Sequence, residues 1–309
     1  MSILIVFENK DPHPWKKIIG EKLPHAVVEI YPDVKNKSTV DFAICWKPKN
    51  NVLAQFTNLK VAQSAGAAID HIINTQSIDD HITLTRIVDE QLSSDMWEFL
   101  LSAVLIQTKN ISLYADQQKN NTWKQHEYKT ISDITISILG LGEIGGFVAE
   151  NFAKMGFKVN GWSNSRKKIR DVESYAGKDE LDVFLTASDF LINLLPLTNK
   201  TEGIIDKEML KKLPKGSFFI NVGRGEHVIE QDLLELLDES HLAGALLDVF
   251  REEPLPANHP FWQHSKIQVT PHIASTTSIL SVVNQIAENY ERFTKNEKLL
   301  NTVSLKKGY

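Results

Sequence analysis

The stretch Thr135-Ile136-Ser137-Ile138-Leu139-Gly140-Leu141-Gly142-Glu143-Ile144-Gly145-Gly146 decides the fold. An apolar run from Ile134 to Leu139 reads as a buried strand. Behind it, Ile144, Val148, Phe152 and Met155 recur at helical spacing. The glycines therefore sit where a strand turns into a helix, the context that a dinucleotide fingerprint requires. Gly140 permits the tight turn. Gly142 has no side chain to hold a pyrophosphate away from the backbone, and Gly145 lets the helix pack close on the strand. Glu143 and Ile144 open that helix, whose free N–H groups and positive dipole end would meet the phosphates. A lone glycine pattern of this kind is weak evidence. The flanking strand and helix, and a second strand at Phe157–Trp162, strengthen it.

Working outward, the second unit continues with a helix near Glu180–Thr186 and a strand at Asp189–Leu194. A helix at Lys207–Lys212, a strand at Ser217–Val222 and a helix at Glu230–Glu239 follow, then strands at Gly244–Asp248 and Ile267–Thr270. That gives about six strands, enough for a full dinucleotide-binding domain.

Upstream, residues 1 to 95 also alternate strand and helix, with strands expected at Ile3–Glu8, Val27–Tyr31, Asp41–Trp46, Lys60–Ser64 and Ile82–Arg86. Helices fall at Pro14–Leu23 and, briefly, Val52–Phe56. This order implies a parallel sheet. It carries no phosphate fingerprint, so it is not the cofactor domain. Ser64-Ala65-Gly66-Ala67-Ala68-Ile69-Asp70 closes one strand, where small residues leave backbone amides accessible to a small carboxylate. From those residues alone, a plain loop before a helix is the favoured reading. Trp46 ends the neighbouring strand, facing either the same place or the core.

Ser94–Ala115 reads as one long helix capped by Ser94 or Asp95, crossing from the first unit into the second. Asn120–Thr130 is a polar loop with Trp123 as its expected anchor. The tail, Ser275–Lys295, is a helix capped at Ser275, Thr276 or Thr277. Its stripe of Ile279, Val282, Val283, Ile286 and Tyr290 returns it to the first unit. The domains are thus expected at 1–97 with 276–309, and at 98–275.

The bulk numbers narrow the function. At 309 residues, two domains are the default. The net charge of −5, with no basic arm, argues against nucleic acid. Cys45 is the single cysteine, which excludes an intrachain disulfide and argues against a thiolate metal site. The apolar run Ile3–Phe7 is too short for a signal segment, and no stretch approaches a membrane span. A cytoplasmic protein, without membrane contact or metal, is expected.

After the second strand of the fingerprint unit, Ser163 stands where an NAD site places its acid, and no carboxylate follows until Asp171. Ser163, Asn164, Ser165 and Arg166, with Lys167 and Lys168 behind, suit a 2′-phosphate instead. NADP(H) is therefore preferred, with NAD(H) possible.

Three later strand ends carry the chemistry. Asn221-Val222-Gly223-Arg224-Gly225 places a permanent cation between glycines that allow an unusual backbone and close ligand approach. Leu247-Asp248-Val249-Phe250 leads into Glu252-Glu253-Pro254. Thr270-Pro271-His272-Ile273-Ala274 ends the last strand with a histidine. Reducing a 2-oxo acid needs a cation for the carboxylate and carbonyl, a proton for the new alkoxide, and a hydride. Arg224 suits the first. His272 suits the second, because an imidazole is an available proton donor near neutrality. A carboxylate beside the ring would stabilise imidazolium and orient it. Glu253, held by Pro254, is the choice, and spacing alone leaves Glu252 open.

The order GLGEIG, NVGRG, LDVF with EPLP, and TPHIA resembles the D-isomer-specific 2-hydroxyacid dehydrogenases over nearly the whole chain. Within that family it is most similar to the branch that reduces glyoxylate and hydroxypyruvate. Gly66–Asp70, Gly161–Arg166, Ile192-Asn193-Leu194-Leu195-Pro196 and the ending Lys307-Gly308-Tyr309 support that branch. The resemblance implies two Rossmann-like or flavodoxin-like α/β domains with parallel sheets and an active-site cleft between them that closes on binding. It implies an Arg224–Glu253–His272 set and so decides for Glu253. It implies that Leu195, Pro196, Val222, Gly223, Asp248, His272 and Ala274 line the cofactor, with Asp248 toward the nicotinamide carboxamide. Trp46 and the amides of Ala65, Gly66 and Ala67 would hold a small 2-oxo acid together with Arg224 and His272. A homodimer built through the cofactor domain is also implied. Ala68 is a departure, at a position where close relatives can carry glycine. A dehydrogenase of a larger D-2-hydroxy acid, or a non-catalytic dinucleotide-sensing protein of the same fold, are the alternatives.

Overall fold

The computed structural model describes residues 1–304; the supporting stretch Lys307-Gly308-Tyr309 lies outside the described residues. The chain divides into two compact units. One is Met1–Gln91 together with the chain from Thr277 onward, and the other is Leu92–Thr276.

In the first unit, β1 (Ser2–Phe7), α1 (His13–Lys22), β2 (Val27–Ile30), β3 (Val40–Trp46), β4 (Val61–Ser64), α2 (Asp70–Ile73) and β5 (Thr83–Thr85) follow in order. The five strands lie β2-β1-β3-β4-β5, all parallel, the order of a flavodoxin-like sheet. β1 and β3 are buried almost throughout, as central strands of a sheet covered on both faces must be. Cys45 lies in β3, and burial pushes its thiol up to about 12, which makes it a packing residue rather than a nucleophile. The expected short helix near Val52 is a single 3₁₀ turn, Leu53–Gln55.

The second unit opens with α3 (Glu90–Thr108), whose first two residues belong to the first unit, then α4 (Ile111–Lys119). The sequence reading joined these into one helix beginning at Ser94. The helix starts four residues earlier, so Ser94 and Asp95 lie inside it rather than at its start. It breaks where Asn110 adopts a left-handed conformation at φ 55°. Trp123 does not anchor the following loop, because it is 97% exposed.

β6 (Thr135–Leu139), α5 (Glu143–Lys154), β7 (Lys158–Ser163), β8 (Glu173–Ala176), α6 (Leu181–Leu185), β9 (Phe190–Asn193), α7 (Lys207–Lys211), β10 (Ser217–Asn221), α8 (Glu230–Asp238), β11 (Leu242–Leu247) and β12 (Ile267–Val269) complete the unit. The sheet has seven parallel strands rather than about six, ordered β12-β11-β10-β9-β6-β7-β8. Read from β8, this is the doubly wound dinucleotide order with one strand added. The strand absent from the sequence reading is β8. Its sequence, Glu-Ser-Tyr-Ala, has only half-buried and exposed positions, so no apolar run marks it. β6 lies between β7 and β9, where the winding reverses, and that switch point is where such sheets bind ligands. Val148, Ala149 and Phe152 bury α5 against the sheet, whereas Met155 lies outside the helix and is largely exposed.

The chain ends in α9 (Ile279–Thr294), which packs with α1 in the first unit. It begins after Ser278, which makes no side-chain cap, so the caps expected at Ser275–Thr277 do not form. Ser275 instead donates its hydroxyl to the Leu92 carbonyl. Among the described residues no helix is long and apolar enough to cross a membrane.

Candidate active site

The turn after β6 has room in one place only. Gly140 has φ +102°, and a Cβ there would lie 2.6 Å from the Leu194 carbonyl oxygen. A Cβ on Gly145 would stand 1.8 Å from the Gly140 carbonyl oxygen, so helix and turn touch through backbone alone. A Cβ on Gly142 would meet nothing within 4 Å. Two glycines are therefore required by the protein itself. The third keeps open the space above the amides of Glu143 and Ile144, which start α5 and have no helical acceptor. That cradle fits a pyrophosphate.

At the end of β7, Ser163 Oγ donates to the Ser165 carbonyl at 2.8 Å. The Arg166 guanidinium already has partners within the chain. It donates to the Ser174 carbonyl of β8 and pairs with Glu180. The pair is exposed, and exposed pairs are worth about 0–1 kcal/mol. A phosphate that accepts two charged hydrogen bonds can replace Glu180.

Arg224 follows β10 in extended backbone, at φ −142° and ψ 148°. The glycines around it serve backbone packing rather than an unusual conformation. A Cβ on Gly225 would lie 2.0 Å from the Phe250 carbonyl carbon, and one on Gly223 would lie 2.9 Å from Asn193 Nδ2. Three buried polar residues hold the Arg224 backbone. Asn221 Nδ2 donates to its carbonyl at 3.0 Å, and its N–H donates to His227 Nδ1 at 3.2 Å. Asn193 Nδ2 links the two, at 2.9 Å from Asn221 Oδ1 and 2.8 Å from His227 Nδ1. Asn193 also accepts the Leu195 amide at 3.1 Å, which fixes the chain before Pro196. Asn221 and His227 as a brace escaped the sequence reading. The available signal was an asparagine ending each of two strands, which the register sets side by side.

His272 follows β12. Its Nδ1 lies 2.9 and 3.0 Å from the two carboxylate oxygens of Glu253, with side chains 34% and 21% exposed. Glu253 also accepts the Phe250 amide at 3.2 Å and precedes a cis proline. A carboxylate at Nδ1 fixes the ring's tautomer and leaves Nε2 for other work. His272 itself sits at φ +54°, a region that costs an L-residue about 1–2 kcal/mol.

Buried Asp248 holds that conformation. Its Oδ1 accepts from Thr270 Oγ1 at 2.6 Å and from the Ile273 amide at 2.9 Å, and its Oδ2 accepts the Ala274 amide at 2.9 Å. Asp248 is thus the brace of the histidine loop, a role the sequence did not reveal. Val222 and Ala274 are buried, the former donating its amide to the Asn193 carbonyl at 3.3 Å.

In the first unit, Trp46 ends β3 half-buried, against Gly66, where a Cβ would lie 2.8 Å from the indole. The loop corrects the expected carboxylate contacts. The Ala65 amide donates to the Cys45 carbonyl at 2.9 Å and the Gly66 amide to Ser64 Oγ at 3.1 Å, so neither is available. Among the described residues, the amides of Ala67 and Ala68 have no acceptor, and both residues are partly exposed.

These features are those of a nicotinamide-dependent oxidoreductase. The chain belongs to the D-isomer specific 2-hydroxyacid dehydrogenases, whose NAD binding domain matches residues 101–274. It is similar over its full length to three solved structures. The D-isomer specific 2-hydroxyacid dehydrogenase from Xanthobacter autotrophicus Py2, in complex with NADPH and MES, is 34% identical with a TM-score of 0.94, covering 100% of this chain and 99% of that one. The NADPH-dependent glyoxylate/hydroxypyruvate reductase from Sinorhizobium meliloti, with NADP and sulfate, is 33% identical at 0.93, covering 100% of both. A probable 2-hydroxyacid dehydrogenase from Rhizobium etli CFN 42, with NADP, HEPES and L(+)-tartaric acid, is 31% identical at 0.91, covering 100% and 99%.

Proposed function

We propose that the protein is an NADPH-dependent reductase of small 2-oxo acids, acting on glyoxylate to give glycolate and on hydroxypyruvate to give D-glycerate. The observation that carries this reading is the His272–Glu253 pair at 2.9–3.0 Å, in the same unit as the open glycine cradle. The reductase from S. meliloti supports the substrates, and the relatives bound to NADPH or NADP support the cofactor.

The Gly140–Gly145 turn and the start of α5 hold the pyrophosphate, and Ser163–Arg166 holds the 2′-phosphate. Leu195, Pro196, Val222, Gly223 and Ala274 flank the nicotinamide side. A reduced nicotinamide bound there supplies the hydride to the keto carbon. Arg224 holds the carboxylate and carbonyl; within the first unit, Trp46 and the Ala67 amide suit a small carboxylate. As the carbonyl becomes an alkoxide, His272 Nε2–H delivers its proton to that oxygen, while Nδ1–H stays on Glu253. We further propose a cytoplasmic homodimer.

The test is absorbance at the reduced-nicotinamide band with NADPH or NADH and a panel of 2-oxo acids. Rapid NADPH loss with glyoxylate or hydroxypyruvate is expected, and Arg166→Ala should lower the preference for NADPH over NADH. Loss only with bulkier acids would replace the substrate. No turnover despite tight NADPH binding would refute the enzyme and leave a dinucleotide sensor.

A further inference from the structure

The five residues between β4 and α2 are closed by a hydrogen-bond chain whose directions are fixed. The Lys47 N–H can only donate, and it lies 3.2 Å from His71 Nδ1. That nitrogen is therefore the unprotonated one, so the ring proton of the neutral imidazole is on Nε2. Nε2–H donates to Ser64 Oγ at 3.1 Å. Ser64 Oγ also accepts the Gly66 amide at 3.1 Å, and its own proton goes to the Ala68 carbonyl at 2.6 Å. One buried hydroxyl thus ties the loop's start, middle and end, and one imidazole ties that hydroxyl to the end of β3. The His71 ring also packs on Trp46, with centroids 5.3 Å apart.

The chain also sorts the loop's backbone. The carbonyls of Ser64, Gly66 and Ala68 are taken by Gln63 Nε2, the Ile87 amide and Ser64 Oγ. The amides of Ala65 and Gly66 are taken as well, and among the described residues those of Ala67 and Ala68 are left. What remains is a pair of consecutive donors with most neighbouring acceptors withdrawn, an arrangement that favours an anion.

We propose that Ser64 and His71 are positioning residues of the substrate-carboxylate site, holding the Ala67 and Ala68 amides toward the carboxylate of the 2-oxo acid. This rests on the reading given under the proposed function. The carboxylate does not react, so its hold is equally strong in the ground and transition states. Loosening it raises KM and leaves kcat.

The test uses Ser64→Ala, which removes the hydroxyl, Ser64→Thr, which keeps it, and His71→Gln, which keeps a side-chain donor but loses the Nδ1 acceptor. KM for glyoxylate should rise about tenfold in Ser64→Ala, the weight of one hydrogen bond to a charged group. The kcat and the KM for NADPH should stay within about twofold. Ser64→Thr should recover the wild-type KM, and His71→Gln should fall between. An unchanged KM in Ser64→Ala overturns the proposal. So does a fall in kcat at constant KM, the sign of a smaller active fraction and a merely structural role. Oxalate titrated into wild-type protein labelled with ¹⁵N-alanine tests the underlying reading separately. Shifts at the Ala67 and Ala68 amides uphold it, and their absence removes the loop from the site whatever the variants do.

Discussion

At the scale of single residues, the site depends on holding His272 where its backbone does not rest easily. A left-handed histidine persists only if its surroundings over-determine it. Here Asp248 accepts three hydrogen bonds from residues on either side, and Glu253 fixes the ring. Removing the ring loses the Glu253 contact and leaves the three Asp248 bonds in place. His272→Ala should therefore lower kcat by roughly 10² to 10⁴, the usual weight of a general acid, while the Kd for NADPH measured by fluorescence titration stays near wild type. Turnover within a few-fold of wild type would take the acid role away from His272. Arg224 and His272 stood out because each follows a strand end beside glycines or a proline, whereas spacing left Glu252 open beside Glu253, and it is Glu253 that the fold sets against the His272 ring. Asn193, Asn221 and His227 were not. Their joint work exists only once β9 and β10 pair in register, and no local pattern reports that pairing. The same limit applies to the loop at Ala65–Ala68, where composition suggested free amides and only the fold shows which two are taken.

At the scale of elements, the sequence reading located every described strand of the two sheets except β8. β6, β9 and β10 are buried runs and stand out. β8 gains its place by pairing with β7, and its own residues carry no alternation. The long helix failed for a related reason. Nothing in Lys109-Asn110-Ile111 forbids a helix, and the break rests on an asparagine's tolerance of positive φ. The returning helix α9 was foreseen from its apolar stripe, but a polar knot also fastens it to the first sheet. Asn289, fully buried, donates to Gln63 Oε1 at 2.8 Å, accepts the Leu300 amide at 2.7 Å, and shares Gln63 with Thr85 Oγ1 at 2.6 Å. Asn289→Ala strands those partners in a buried setting. It should destabilise the first unit by about 1–3 kcal/mol. Urea unfolding followed by far-UV circular dichroism would show this as a lower midpoint with the slope preserved. A midpoint equal to wild type would mean that the stripe alone holds the helix.

At the scale of the whole molecule, the surface of the second unit is unfinished. α4 has no buried residue on any face, which is unusual for a helix whose stability should come from packing. Ile111 is 53% exposed, Leu113 and Tyr128 are also exposed, and Trp123 is almost entirely so. The sequence reading made Trp123 the anchor of its polar loop. Among the described residues it finds no cover, and an exposed apolar patch of this kind marks an interaction surface. A second copy supplies cover most simply, since a two-fold axis lets one apolar patch bury its own counterpart. The protein should therefore sediment as a dimer at micromolar concentration. Ile111→Glu combined with Leu113→Glu should shift it to monomer, because each change sets a carboxylate in an interface that would have to desolvate it. Both positions are solvent-facing in the single chain, so the doubly substituted protein should keep its far-UV spectrum. A wild-type chain that sediments as a monomer, or a double variant that stays dimeric, would mean that this surface serves some other purpose.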